Sequence, residues 1–348
     1  MRLSIVAGKA TSLINVAKDV AYVAQKRGHA PRILTYVESP STLARLSDAV
    51  VIVYPSSPLF CAEYMLLYRD LRTHYATPAV YYTMIEGRPR RFHVRPWMTR
   101  DVEFVAASKY VRDKLEEAGF RVRAVVYHGL VREAVEEASK MVPTARRHLR
   151  ARYGDRVVLG VVSHSHPRKG LELLKRAAEI LAERRRDFAV HVVANPEAER
   201  KLEGAPGVFV DAVFGSRSRE EVLAFLGAID FLVVPSMAEG FCLPLLEANA
   251  MGTPAVHCLY PPLTEISDAE ANVAFGYERV EYVNTGEGVE YELHVYDPRE
   301  LADAMERAID LVLNYPSEYE DRRARAKRVL GRFDAERLYP RLLEMVGA

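Results

Sequence analysis

Short, almost wholly apolar runs recur along this chain, each followed by a stretch of helical periodicity. Ala49–Tyr54 (AVVIVY) is the clearest of them, uncharged from end to end. A strand must read this way when helices cover both faces of its sheet, as they do in parallel βαβ structures. Leu3–Ala7, Arg32–Tyr36, Ala79–Thr83, Glu103–Ala107 and Val122–Tyr127 give further strands in the first half. Asn15–Arg27 is an amphipathic helix ending at Gly28, and Lys109–Ala118 is another stopped by Gly119. The chain turns charged and helical between about 131 and 154, and the alternation restarts at Val157–Val162. Helices Gly170–Arg186, Arg219–Gly227 and Leu243–Met251 precede strands Ala189–Val193, Phe231–Val234 and Pro254–His257, and Pro298–Leu313 is the last helix of this block. The expected α/β architecture is two doubly wound, Rossmann-like domains, 1–150 and 151–315, facing a central cleft. Amphipathic segments Ser317–Leu330 and Asp334–Met345 (region 316–348) are expected to pack back toward the first domain. Ligands of such sheets sit at the carboxyl ends of the strands, so the chemistry belongs in the loops that follow them.

Composition narrows the field. A length of 348 residues suits two separate cores. With Lys+Arg at 48 against Asp+Glu at 47, nothing pulls the chain toward nucleic acid in general. Cys61, Cys242 and Cys258 form no CxxC pair, which excludes a disulfide scaffold and a zinc knot and fits a reducing, cytoplasmic setting. The opening MRLSIVAGK is too short an apolar run for a signal peptide, and no run reaches the ~18 residues that would cross a bilayer. Gln25 is the sole glutamine beside abundant Arg and Glu, which points to a heat-adapted source. His29, His74, His128 and His191 lack ligand spacing, no DxD pair stands in a suitable loop, and no metal is expected.

The most informative segment is Pro235–Pro254, PSMAEGFCLPLLEANAMGTP. A strand ends at Val234, a loop carries Glu239-Gly240-Phe241-Cys242, and a helix starts near Leu243 with Pro244 in its first turn. The unpaired N–H groups of that turn, with the helix dipole behind them, make a seat for a diphosphate. Gly240 lets the backbone approach a ligand. Glu239 on the loop and Glu247 about one turn into the helix can face one pocket, where carboxylates accept the paired hydroxyls of a sugar and of a ribose.

EGFCLPLLEANAMGTPAV resembles the E-x7-E region, EGFGLPLLEAMAxGxPV, of the retaining GT-B glycosyltransferases of family 4. The resemblance implies that Glu239 holds hydroxyls of a donor sugar and Glu247 the ribose of its nucleotide. The amides of Gly240, Phe241 and Cys242 would face sugar and diphosphate. Cys242 stands where the family prefers glycine, and its restricted φ is expected to alter the backbone approach slightly. SKYVRDKLEEAGF (Ser108–Phe120), VYHGLV (Val126–Val131), AIDFLVVPS (Ala228–Ser236) and PPLTEIS (Pro261–Ser267, where Glu265 shapes the loop) are also similar to the family. VSHSHPRKG (Val162–Gly170) is similar to VGRLxPxKG, which puts Lys169 beside the departing β-phosphate. The family's diphosphate-binding arginine falls on His164, or on Ser163 with a one-residue shift, and Arg168 could partly compensate.

The first half resembles the family less. Gly8 follows the first strand, where the family has a glycine turn that lets the acceptor side approach the donor phosphates. The family's histidine after the fourth strand is missing from VYYTMIEGRPRR (Val80–Arg91), and Glu86 occupies that loop, either as an acceptor-side acid or base or as a solvated turn residue. Glu86–Arg100 carries five arginines with Phe92 and Trp97. It reads either as a grip on a phosphorylated or membrane-borne acceptor, with a peripheral membrane contact, or as a solvated loop over Trp97. The implied activity is retaining, metal-independent transfer of a hexose from a nucleotide-diphosphate sugar, used as co-substrate with no separate cofactor. The acceptor would be a carbohydrate, lipid-linked or phosphorylated. Its rivals are a non-catalytic nucleotide-sugar-binding subunit and an epimerase on the same fold; a phosphorylase would need far greater length.

Overall fold

The computed structural model describes residues 1–213 and 215–348. Strands of the first half are β1 (Arg2–Ala7), β2 (Ala30–Leu34), β3 (Ala49–Val53), β4 (Ala79–Thr83), β5 (Gly87–Pro89), β6 (Glu103–Ala106) and β7 (Arg121–Val125). Those of the second are β8 (Val157–Val162), β9 (Phe188–Val193), β10 (Val208–Asp211), β11 (Phe231–Val234), β12 (Ala255–Cys258), β13 (Val273–Phe275), β14 (Arg279–Asn284) and β15 (Val289–Val295). Two parallel sheets result, with orders β2-β1-β3-β4-β6-β7 and β10-β9-β8-β11-β12-β13. Every residue of β3 is buried, as its uniform sequence demands. Register is fixed by that burial, Ile5 lying beside Ile33 on one side and Val51 on the other. The chain reverses its direction of progress across each sheet at β1/β3 and at β8/β11. These switch points are where doubly wound sheets open a crevice, and the loops after β1, β8 and β11 meet there.

One apolar cluster runs from the first sheet through Val126, Leu130, Phe333 and Phe241 into the second, so the two domains share packed surface. The helix Thr11–Lys26 buries Leu13, Val16, Val20 and Val23 on the spacing its sequence shows, and Gly28 at φ +82° ends it. The 22-residue helix Arg132–Tyr153 makes the expected connection between domains.

Two features differ from expectation. Glu86–Arg91 reads as a loop, yet Gly87–Pro89 is a strand pairing with β15, whose other neighbour is β14. This three-stranded antiparallel sheet crosses the domain boundary. A run of three residues shows no alternation, and its partner lies about two hundred residues on, so no local pattern reports it. Gly87 is obligatory there, because a Cβ would stand 2.0 Å from the Glu290 carbonyl oxygen. Among the described residues, the C-terminal helix that returns to the first domain is Ala335–Glu344, where Glu336 pairs with Lys26 at 2.8 Å. Pro316–Ala326 stays on the second, because Tyr319 stacks on Phe231 and donates its hydroxyl to Asp230 O at 2.8 Å.

Candidate functional site

A cavity of about 160 Å³ occupies the cleft where the two switch points face each other. Ser12 and Leu13, at the start of the first helix, line one side together with Met84, Glu86 and His128. The second domain contributes Ser163, His164, Arg168, Lys169 and the run Glu239–Pro244. Gly8 is not part of the lining; it supports the turn before Ser12, where a Cβ would fall 2.5 Å from the Tyr54 ring.

The loop after β11 feeds the helix Leu243–Ala250, whose first-turn Pro244 needs no partner for its missing N–H. Cys242 precedes the helix at φ +82°, a left-handed conformation. The backbone there takes the left-handed form that glycine adopts without cost. Its strain is about 1–2 kcal/mol. Gly240 leaves little room as well, since a Cβ would come within 3.2 Å of the Ile85 backbone in the first domain. The helix mouth thus opens on the cavity through Cys242, Leu243 and Pro244.

The cations come from the turn Pro167–Lys169 after β8. Gly170 closes that turn at φ +67°, and a Cβ there would meet Pro235 O at 1.9 Å, so this glycine brings the loops after β8 and β11 together. Met237 N donates to Arg168 O at 2.8 Å across the same seam. Lys169 Nζ donates to Glu239 Oε1 at 2.5 Å. Arg168 donates to Ala238 O at 3.0 Å, stands 3.5 Å from Glu239 Oε2, and donates to Glu86 Oε1 at 2.8 Å. Burial works to raise the Glu239 carboxyl, but Lys169 and Arg168 outweigh it and hold the group below its usual range. Burial and the same two cations push His164 down to about 3, so it is a neutral imidazole. It brings no charge to the position where the family carries arginine.

Glu247 lies deeper. It is 5% exposed and stands 3.6 Å from an Arg219 guanidinium nitrogen, and among the described residues its Oε1 has no hydrogen-bond partner. Arg219 opens the helix Arg219–Ala228 and gives both arms of its fork to Asp19 of the first domain, at 2.5 and 2.8 Å. Burial pushes the Glu247 carboxyl up to about 7, Arg219 opposes this, and Asp19 adds to it.

Three participants escaped the sequence reading. His128 is buried in the middle of the loop after β7, and Tyr82 hydroxyl, which donates to Val126 O at 2.8 Å, lies 2.8 Å from its Nδ1. With that hydroxyl proton spent, Nδ1–H donates to Tyr82 and Nε2 keeps its lone pair. Burial holds this ring neutral, at about 3. Asp19 and Arg219 went unnoticed as well, although an acid among Val16, Val20 and Val23 on a buried face is legible as an anomaly.

The Glu86–Arg100 stretch divides. Arg88 pairs with Glu290 at 2.6 Å, and Arg69 lies over the half-buried Trp97. Phe92 is 75% exposed beside Arg90 and Arg91, at the rim of a surface hollow of about 640 Å³. No helix among the described residues is long and apolar enough to cross a membrane.

Residues 156–310 match the family model "Glycosyl transferases group 1". An uncharacterized glycosyltransferase of Sulfolobus islandicus rod-shaped virus 1 is 28% identical over 348 residues, spanning 99% of this chain and all of the relative. A GDP-mannose-dependent alpha-mannosyltransferase of Corynebacterium glutamicum is 26% identical, over 51% of this chain and 44% of its own. Among solved structures, one described as trehalose-6-phosphate from E. coli bound with UDP-2-fluoro glucose superposes with a TM-score of 0.72 at 14% identity, covering 100% of this chain and 99% of that one. HepE of Anabaena, in complex with UDP and glucose, gives 0.66 at 15% identity over 99% of both. The architecture is thus the two-domain GT-B fold, and its second domain is the one that matches the group 1 model.

Proposed function

We propose that this chain is a retaining glycosyltransferase of the family 4 type, moving a hexose from a nucleotide-diphosphate sugar to an acceptor hydroxyl. The observation that carries the reading is the Lys169–Glu239 pair at 2.5 Å, set beside the open start of the helix Leu243–Ala250 in the cleft. In this reading Glu239 accepts hydroxyls of the donor sugar, Glu247 accepts those of the ribose, and the amides of Gly240–Leu243 face the diphosphate. Departure of the diphosphate breaks the bond between C1 and its oxygen and builds negative charge beside Lys169, while C1 becomes oxocarbenium-like. The acceptor hydroxyl bonds to C1 on the same face, and its proton passes to the departing phosphate oxygen. Lys169, Arg168 and the helix end supply the positive charge for that step, so the reading assigns no part to a metal or a separate cofactor.

A cavity of about 160 Å³ is smaller than the ~300–1,000 Å³ of ordinary ligand pockets, so a donor enters only when the domains part. Glu86 faces the cavity paired with Arg168, a position that suits an acceptor-side acid once the domains move. Arg90, Arg91 and Phe92 at the outer hollow favour an acceptor with a phosphate or a lipid-borne headgroup, and with it a peripheral membrane contact.

UDP-glucose and GDP-mannose, tried as donor probes without acceptor, test the activity. Slow release of the nucleotide diphosphate from one of them is expected. Tight binding without release would instead indicate a binding subunit, and an epimer of the donor seen by NMR would indicate an epimerase.

Glu247 gives a pH signature. Its carboxyl sits near 7 in the empty protein, and hydroxyl donors stabilise the ionised form, so the bound group must titrate lower. Binding then expels a proton below about pH 7. Affinity for UDP or GDP should rise with pH up to about 7 and level off above it, as calorimetry from about pH 5.5 to about pH 8.5 would read. Glu247→Gln should lose this dependence and keep only the nucleotide's own phosphate titration; an unchanged profile in that variant would remove Glu247 from the ribose.

A further inference from the structure

Each glutamate of the E-x7-E pair is joined by one arginine to one acid of the opposite domain. Arg168 stands between Glu239 and Glu86, and Arg219 between Glu247 and Asp19. Glu86 lines the cavity, but Asp19 does not, and it makes its only side-chain hydrogen bonds among the described residues to Arg219. It is 3% exposed on the inner face of the helix Thr11–Lys26. A buried carboxylate on a core-facing position needs a reason beyond packing.

The geometry shows what the pair does to Glu247. A guanidinium fork satisfies one carboxylate in bidentate fashion, and here Asp19 takes both arms. Arg219 is then 3.6 Å from Glu247, at ion-pair distance but too far for a well-formed hydrogen bond, and among the described residues Glu247 Oε1 has no hydrogen-bond donor. An acceptor in that condition carries a desolvation cost that a ligand hydroxyl removes. If the domains separate, Asp19 leaves with the first of them. Arg219 would then remain beside Glu247 with its fork free to turn to that carboxylate, covering the oxygens a ligand would use.

We propose that Asp19 is a positioning residue for Glu247: by holding Arg219 across the domain boundary, it keeps that carboxylate open for the hydroxyls of the donor's nucleotide. Closure of the cleft and capture of the nucleotide are thereby one event. The inference rests on the reading that Glu247 meets the nucleotide, and the test separates the two.

Calorimetric titration with UDP and with GDP would be run on the full chain and on Asp19→Asn, Glu247→Gln and the double variant. Asp19→Asn is expected to weaken binding of the preferred nucleotide roughly tenfold although it touches no ligand. In the Glu247→Gln background the same substitution should have no effect, because arginine has no second carboxylate to turn to. Unchanged affinity in Asp19→Asn, or equal weakening in both backgrounds, overturns the proposal, the latter being what a merely structural role would give. Unchanged affinity in Glu247→Gln alone overturns instead the contact between Glu247 and the nucleotide. Should Asp19→Asn fail to fold, Asp19→Glu, which keeps the charge, should bind like the parent, and Arg219→Lys, which keeps charge but lacks the fork, should bind roughly tenfold more weakly. Parent-like affinity in Arg219→Lys rejects the proposal in that case.

Discussion

Lys169→Ala is expected to lower kcat for donor cleavage by about 10²–10³, the loss seen when one preorganised charge-stabilising donor is removed from a reacting centre. The ammonium sits 2.5 Å from Glu239 at the mouth of the helix Leu243–Ala250, which is where the proposed leaving diphosphate gains its charge. A group that acts on developing charge changes turnover more than ground-state binding. The donor KM should therefore move by less than about tenfold while kcat collapses. Lys175→Ala, six residues along and bonded outward to Glu203 O, is the matched control and should turn over like the parent. Steady-state release of the nucleotide diphosphate decides the matter. A Lys169→Ala rate within about threefold of the parent would remove the lysine from the leaving group.

Why Lys169, Glu239 and the helix after them were legible in the sequence is itself physical. All three depend on local geometry: a strand end, a tight turn that only glycine or a strained residue can make, and a helix start. Each leaves its mark within about ten residues, as in PRKG and EGFCLP. The parallel sheets were legible for a similar reason, because burial on both faces writes one continuous apolar run per strand. What the sequence hid is what is made between distant segments. The β5–β15 pairing joins Gly87 to Tyr291, and the Asp19–Arg219 pair spans two hundred residues. His128 shows the same limit: its neighbour Tyr82 fixes the ring, and nothing in VYHGLV announces that partner. Cys242 is the opposite case: the local rule favours glycine, yet the chain keeps a left-handed turn there with a side chain on it.

Glu239 is the residue on which the second large effect falls, because it serves fold and site together. Its carboxylate is buried between Lys169 and Arg168, and substituting it by glutamine keeps the shape while leaving the half-buried Lys169 ammonium without its carboxylate. Breaking one partner out of such an arrangement costs about 3–5 kcal/mol. Arg168 retains Glu86 at 2.8 Å, so Glu239→Gln should fall at the lower end, near about 3 kcal/mol. For a domain of this size that corresponds to a Tm lower by about 6–12 °C. The acid limb supplies an independent check. The folded carboxyl titrates below its unfolded value, so its contribution is present above the ordinary glutamate range and is lost as pH falls through the folded value. The parent should therefore lose stability in acid more steeply than Glu239→Gln, the two curves converging at low pH. Curves that stay parallel would mean that the charge of Glu239 does not hold the loops after β8 and β11 together. Activity measured well below either Tm then isolates its other task, since glutamine still offers one acceptor oxygen but also presents N–H donors toward the cations. Donor binding should weaken even in fully folded Glu239→Gln, and parent-like donor affinity there would confine this residue to the fold.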